Sequence, residues 1–151
     1  SKKTGLDWAT SSQKTIKKIN ASLGTNFGCD AFDFFNCNRE LVLEKNSGIY
    51  TFAALEQIND KYEDFVDYLI ENKPSICLHI EPIAELLDEN NLMDFLSKKY
   101  FEKRNYLSGF YDHLKDLQDK GKIEIIFEKP SFIGSIYING YSIIAWRVKD
   151  A

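Results

Sequence analysis

Two kinds of periodicity follow one another along this chain, and their order limits what it can fold into. Apolar runs of about four to eight residues, the length of a buried strand, alternate with longer stretches whose apolar residues recur at helical spacing. Thr4 to Trp8 (TGLDW) reads as the end of a strand, and Thr10, Ser11 and Ser12 offer caps for a helix over QKTIKKINASL, which Gly24 stops. NFGCDAFDFF reads as a short strand running into a loop. The polar stretch NCNRELVLEKNS then leads to GIYTFAAL, a buried strand. Asp60 to Glu71 puts Tyr62, Phe65, Val66, Leu69 and Ile70 on one helical face, with Pro74 beyond it. SICLHIEPI is the next buried strand, followed by a long helical region from Ile83 to Lys120 that Gly121 ends. KIEIIFEK and YSIIAWRVK, joined by the turn-rich PSFIGSIYING, predict an antiparallel hairpin.

Strands separated by helices predict an α/β fold: a layered, mostly parallel sheet that ends on a C-terminal antiparallel hairpin. A chain of 151 residues is the size of a single domain, 1–151, and can bury a core of its own. Its 44% hydrophobic and 28% charged residues are those of a globular chain, which excludes general disorder. A net charge of −4 argues against general nucleic-acid binding or attraction to an anionic membrane, both of which need a basic face. Lys98, Lys99, Lys103 and Arg104 are the candidates for a local basic patch, and they read as a solvated helix face. No run approaches about 18 apolar residues, so no membrane span is expected, and SKKTG is not followed by the apolar stretch of a signal peptide. The three cysteines, Cys29, Cys37 and Cys77, have no CxxC spacing, which fits neither a disulfide framework nor a zinc site. Cys77 reads as a small buried side chain, and the compartment as reducing, hence cytoplasmic.

Several residues carry chemistry. Asp7 stands at the carboxyl end of a strand just before a helix, in the crevice where open α/β sheets bind ligands. A carboxylate there can accept from both hydroxyls of a ribose, or simply cap the helix that follows. Asp30 is a second such acid, in CDAFDFF. An acid beside an aromatic ring suits the amino group and ring face of an adenine; equally, it is a turn aspartate next to core phenylalanines such as Phe32, Phe34 and Phe35. Ala53 and Ala54 at the end of IYTF permit close approach of a ligand to the backbone, or of a helix to the strand. His79 and Glu81 share one face of their strand. His79 is a candidate proton acceptor that Glu81 would orient, and both are expected to face an open cleft on the side of Asp7 and Asp30. The competing reading is a core histidine with Glu81 solvated before Pro82. Arg104, Asn105 and Tyr106 suit an anionic or sugar-like ligand, or else a helix junction. His113 reads as a surface residue, and no metal cluster is evident.

Taken together, these segments resemble the class I S-adenosylmethionine-dependent methyltransferases. GLDW with SSQKTIKKIN looks like that family's second strand, ribose-binding acid and following helix. CDAFDF looks like the loop after its third strand, and YTFAALEQI like the fourth strand with the segment after it, where Gln57 stands in place of a frequent histidine. KPSICLHIEPI resembles the fifth strand and the closing hairpin the sixth and seventh, so the resemblance covers nearly the whole chain. KRNYLSGF and GSIYINGYSIIAW look like a bacterial subgroup. The resemblance implies a three-layer, Rossmann-like sheet and S-adenosylmethionine as cofactor. Its contacts would include Asp7, Trp8, Asp30, Ala31 and Phe52. His79 and Glu81 would be the catalytic pair, and Arg104 and Tyr106 would hold a small-molecule or sugar-like methyl acceptor; the chain could pair as a homodimer. One departure is large. The family's first strand and its acidic-x-Gly-x-Gly loop precede the ribose-binding acid, and six residues precede Asp7 here. That strand lies between the second and the fourth, so its absence leaves a gap at the centre of the sheet. The expectation is therefore the later portion of a longer methyltransferase domain, incomplete when isolated. Its rivals are a non-catalytic domain of the same shape that binds a partner, and a dinucleotide-using α/β enzyme, which also needs a Gly-rich first turn.

Overall fold

A computed structural model describes residues 2–135 and 139–149. In chain order the elements are β1 (Thr4–Asp7), α1 (Thr10–Leu23), β2 (Gly28–Ala31), β3 (Gly48–Phe52), α2 (Glu63–Asn72), β4 (Ile76–Glu81), α3 (Leu92–Arg104), α4 (Phe110–Asp119), β5 (Ile123–Gly134) and β6 (Asn139–Val148). Single 3-10 turns lie at Glu56–Ile58 and Ala84–Leu86. The order matches the periodicity. The long region after β4 resolves into a 3-10 turn and two helices, broken where Asn105 and Gly109 take left-handed backbone. Gly24 ends α1 in the left-handed conformation, as a glycine after a helix can. The start of α1 differs from expectation. Ala9 holds the cap position, and Thr10 and Ser11 do not act as caps. No side chain caps α1; Asp7 instead accepts from the Ala9 amide and the Ser12 hydroxyl, as described below.

The strands do not join into one sheet. β1 and β2 form a parallel pair, and a separate four-stranded sheet has the order β3-β4-β6-β5. β3 and β4 are parallel, β6 runs antiparallel to β4, and β5 and β6 form the expected antiparallel hairpin. The second sheet is thus mixed rather than mostly parallel. The reason is that β6 returns from the hairpin to lie beside β4, which makes two of its three ladders antiparallel.

Alternation along β4 buries Cys77, His79 and Glu81 on one face, and their cross-strand partners on β6 are Trp146, Ile144 and Ser142. Over that face lie α2, which buries Phe65, Val66, Tyr68 and Leu69, and α4, which buries Phe110, Leu114 and Leu117 at the spacing of one helical stripe. Each such side chain stabilises the core by about 1.5–3 kcal/mol relative to exposure. By contrast, α1 has no fully buried residue and packs on β1 and β2, close enough that a Cβ on Gly5 would meet Ile16 Cδ1 at 2.6 Å. Phe32, just after β2, joins this small unit to the main core through Phe65 and Tyr68, at 6.0 and 5.2 Å between ring centres.

Candidate functional site

Among the described residues β1 is hydrogen-bonded along one edge, to β2, and β3 along one edge, to β4. Residues of both strands line one cavity. Lys2, just before β1, forms an ion pair with Glu44, shortly before β3, so the two strands start at the same end. Between them lies a cavity of about 620 Å³ lined by Thr4 to Leu6 of β1, Gly48 to Phe52 of β3, Ile16 of α1 and Phe65, Tyr68 and Leu69 of α2. Two strands each hydrogen-bonded along one edge, with a cavity lined by apolar side chains between them, make a slot suited to extended chain.

The acids of β1 and β2 lie at the carboxyl end of their pair. Asp7 is opposite Ala31 and Asp30 opposite Leu6, so the two carboxylates leave opposite faces of the ladder. Both Asp7 oxygens are engaged. One accepts from the Ala9 amide at 2.8 Å and the other from the Ser12 hydroxyl at 2.7 Å. These two bonds tie the start of α1 to the end of β1, although α1 has no side-chain cap hydrogen bond. Trp8 beside it is 77% exposed. Asp30 lies within β2 rather than in a loop, is exposed, and accepts from the Ala31 amide at 2.8 Å. No glycine by the slot opens the backbone to a ligand. A Cβ at Gly5 would meet Ile16, at Gly28 the Thr4 hydroxyl at 2.8 Å, and at Gly48 the Ile76 side chain at 3.3 Å. The residues present therefore do not fit the methionine half of S-adenosylmethionine, for which a loop approached closely by the ligand is needed.

His79 and Glu81 do share a face, and the expected open cleft before them is corrected. Both are fully buried. Alternation says which residues share a face; the helices α2 and α4 decide which face is covered. The His79 ring lies 5.2 Å from Phe110, 6.3 Å from Phe65 and 6.1 Å from Trp146, with Nδ1 2.9 Å from the Thr51 hydroxyl. Burial pushes its pKa down to about 3, so it is neutral. Glu81 accepts from the Ala54 and Leu55 amides, each at 3.1 Å. Burial pushes its carboxyl up to about 7, against these hydrogen bonds, which lower it. Glu81 holds the turn after β3, where Ala53 has φ of 50° and donates to the Ile80 carbonyl at 3.1 Å, while His79 bonds Thr51 within β3. Neither side chain is placed to touch a ligand; Glu81 fixes the turn that follows Phe52, and His79 the strand before it.

Phe52, Arg104 and Tyr106 do come together, with partners that local pattern did not indicate. Phe52 stacks on Tyr141 at 5.3 Å and 30°, and also lines the slot. Tyr100 packs edge-on against Tyr106 at 5.9 Å, and the Arg104 guanidinium lies over Tyr106 at 5.8 Å. The Tyr106 hydroxyl, and then the fields of Tyr106 and Tyr100, raise the Arg104 pKa. The Ser108 amide donates to the Asn59 carbonyl at 3.4 Å, which sets the residues after α3 beside the turn that follows Phe52, and α3 packs on β6. Burial and then the fields of Glu56, Glu81, Tyr106 and Tyr100 raise the Tyr141 pKa. One signal for Tyr100 was in the sequence, since it stands one helical turn before Arg104. Tyr141 was hidden, because its place follows from the β4–β6 register that sets Ser142 opposite Glu81. Of the basic residues, Lys98 pairs with Glu89 and Lys99 with Glu102, so they form no bare basic face. His113 is half-buried against Tyr62 at 5.5 Å rather than free on the surface. Cys29, Cys37 and Cys77 are free thiols. Among the described residues no group of three His, Cys, Asp or Glu could hold a metal ion, and no helix is long and apolar enough to cross a membrane. No family model and no curated protein matches the chain.

Proposed function

We propose that this chain is the later portion of an S-adenosylmethionine-dependent methyltransferase domain of the reducing cytoplasm, completed by one further strand and a Gly-rich loop in the slot between β1 and β3. The observation that carries the reading is the slot itself: two strands that start at the same end, each paired along one edge, with an apolar cavity between them. A strand there would pair on both sides and join the two sheets, and its carboxyl end would emerge beside Asp7 on one side and Phe52 on the other. Ligands of open α/β sheets bind at that end. In this reading Asp7 and Trp8 meet the ribose, Asp30 and Ala31 the adenine, and Phe52 borders the methyl acceptor. S-adenosylmethionine, when bound, supplies the electrophilic methyl group. The chain's own residues align the partners and exclude water, which is most of what such a transfer needs. His79 and Glu81 act from behind as positioning residues, Glu81 holding the turn after Phe52 and His79 the strand before it.

The test is calorimetric titration with S-adenosylmethionine of the 151-residue chain and of a chain extended by the residues encoded before Ser1. Micromolar binding by the extended chain, and none by the shorter one, is the expected result. An extended chain that fills the slot and still binds no cofactor overturns the reading. That outcome favours the second reading, a non-catalytic partner-binding module, since two free strand edges with apolar walls also suit the addition of a partner's strand.

A further inference from the structure

The patch around Phe52 has a composition of its own. It gathers Phe52 from the end of β3, Tyr141 from the start of β6, and Tyr100, Arg104 and Tyr106 from α3 and the residues after it. Phe52 is 51% exposed and Tyr100 39% exposed, although their neighbours in sequence, Thr51 and Phe101, are buried. Exposed aromatic rings grouped around the carboxyl end of β3, and rimmed by polar groups, mark a binding surface rather than leftover core. The charges on the patch oppose each other. Glu56 opens the turn after Phe52, and the Ser108 amide donates to the Asn59 carbonyl at the end of that turn at 3.4 Å, which sets it beside the residues that follow α3. The Glu56 charge acts on both Arg104 and Tyr141. Glu81 adds no free acceptor oxygen, because both its oxygens are occupied by backbone amides.

A charged ligand fits this arrangement poorly: an anion meets Glu56, and a cation meets Arg104. A ring with an apolar face and a hydroxyl rim satisfies every part of it. Its face covers an exposed aromatic ring, its hydroxyls donate to the Glu56 carboxylate, and its oxygens accept from the Arg104 fork and the phenol hydroxyls. We propose that the patch of Phe52, Glu56, Tyr100, Arg104, Tyr106 and Tyr141 binds an uncharged, hydroxyl-bearing ring, of which a pyranoside is the simplest form. As the place of a methyl acceptor the patch rests on the function proposed above; its ligand class does not, and binding is read with no cofactor present.

The experiment is an amide-shift NMR titration of the 151-residue chain with a panel of methyl hexopyranosides of differing configuration, and with choline and sulfate as charged probes. At least one pyranoside is expected to move the amides of Ala53, Glu56, Tyr106 and Tyr141 with a saturable curve, while choline and sulfate leave them in place. Phe52→Leu, which keeps an apolar side chain but loses the flat face, and Tyr100→Ala, at a half-exposed site, should each weaken that binding at least fivefold with the thermal midpoint nearly unchanged. No shift from any pyranoside overturns the proposal, as does an equal response to choline or sulfate, or binding that both variants retain. None of these outcomes bears on whether an extended chain binds S-adenosylmethionine.

Discussion

Within one strand, His79 and Glu81 carry opposite electrostatic penalties. Burial holds His79 from its ordinary 6.5 down to about 3, so the unfolded chain binds more protons than the folded one across that interval, and His79 makes stability rise with pH there. Glu81 is held from 4.5 up to about 7, so the folded chain binds more protons and stability falls as pH rises through that range. From pH 4.5 to 6.5 the two slopes oppose, each limited to about 1.4 kcal/mol per pH unit. Relative to the wild type, His79→Gln should therefore expose a loss of stability from pH 4.5 to 7, and Glu81→Gln an uninterrupted gain from pH 3 to 6.5. Urea midpoints of the three proteins across that range check this; variant-minus-wild-type curves that are flat with pH would refute it. Asp7 permits a second test. Its carboxylate accepts from the Ala9 amide and the Ser12 hydroxyl, so Asp7→Ala should cost about 1 kcal/mol of stability, and Asp7→Asn, which keeps one acceptor oxygen, less. The presence of each of these polar residues was legible in the sequence. Which face of β4 lay under helices was not, because that depends on the side to which α2, just before β4, and α4, well after it, fold back onto the sheet, and no local spacing records it.

Strands and helices were legible for a local reason: each is written in the spacing of its own apolar residues, as in Phe110, Leu114 and Leu117 of α4 or the alternation along β4. Pairing is not local. That β6 lies against β4 depends on a return across the sheet, and the register that brings Tyr141 to Phe52 appears in no stretch of either strand. The same distinction governs exchange with solvent. β4 is flanked on both sides, by β3 and β6, whereas β3 is flanked on one. Amides of a parallel strand alternate in direction, so every second amide of β3 should point into the slot without a ladder partner. Hydrogen exchange should find alternate amides between Gly48 and Phe52 fast and those of β4 slow. Uniform protection along β3 would mean that its inner edge is already paired. Filling the slot should slow the fast set selectively.

At the scale of the whole molecule, the protein is a well-packed four-stranded sheet under α2 and α4, to which a smaller unit is attached. That unit, β1, α1 and β2, has two four-residue strands and a helix with no fully buried residue. An isolated two-stranded pair is marginal in water, and stability in general varies across a structure with the apolar contact each part makes. The unit is held mainly by the rings of Phe32 and Phe34 against Phe65 and Tyr68 and by the exposed ion pair of Lys2 with Glu44, the latter worth roughly 0–1 kcal/mol. It should therefore open before the rest. In a urea titration followed by residue, the amides of α1 and β2 should lose protection at lower denaturant than those of β4, β6 and α4. Trp8 lies in the small unit and is exposed, while Trp146 is buried in the main core. Fluorescence of a Trp8→Phe variant should accordingly follow only the later transition. A strand paired with both β1 and β3 would link the two parts through backbone hydrogen bonds, so an extended chain that fills the slot should unfold in one transition. Coincident loss of protection in the 151-residue chain would show that the aromatic contacts alone already make the two parts one cooperative unit.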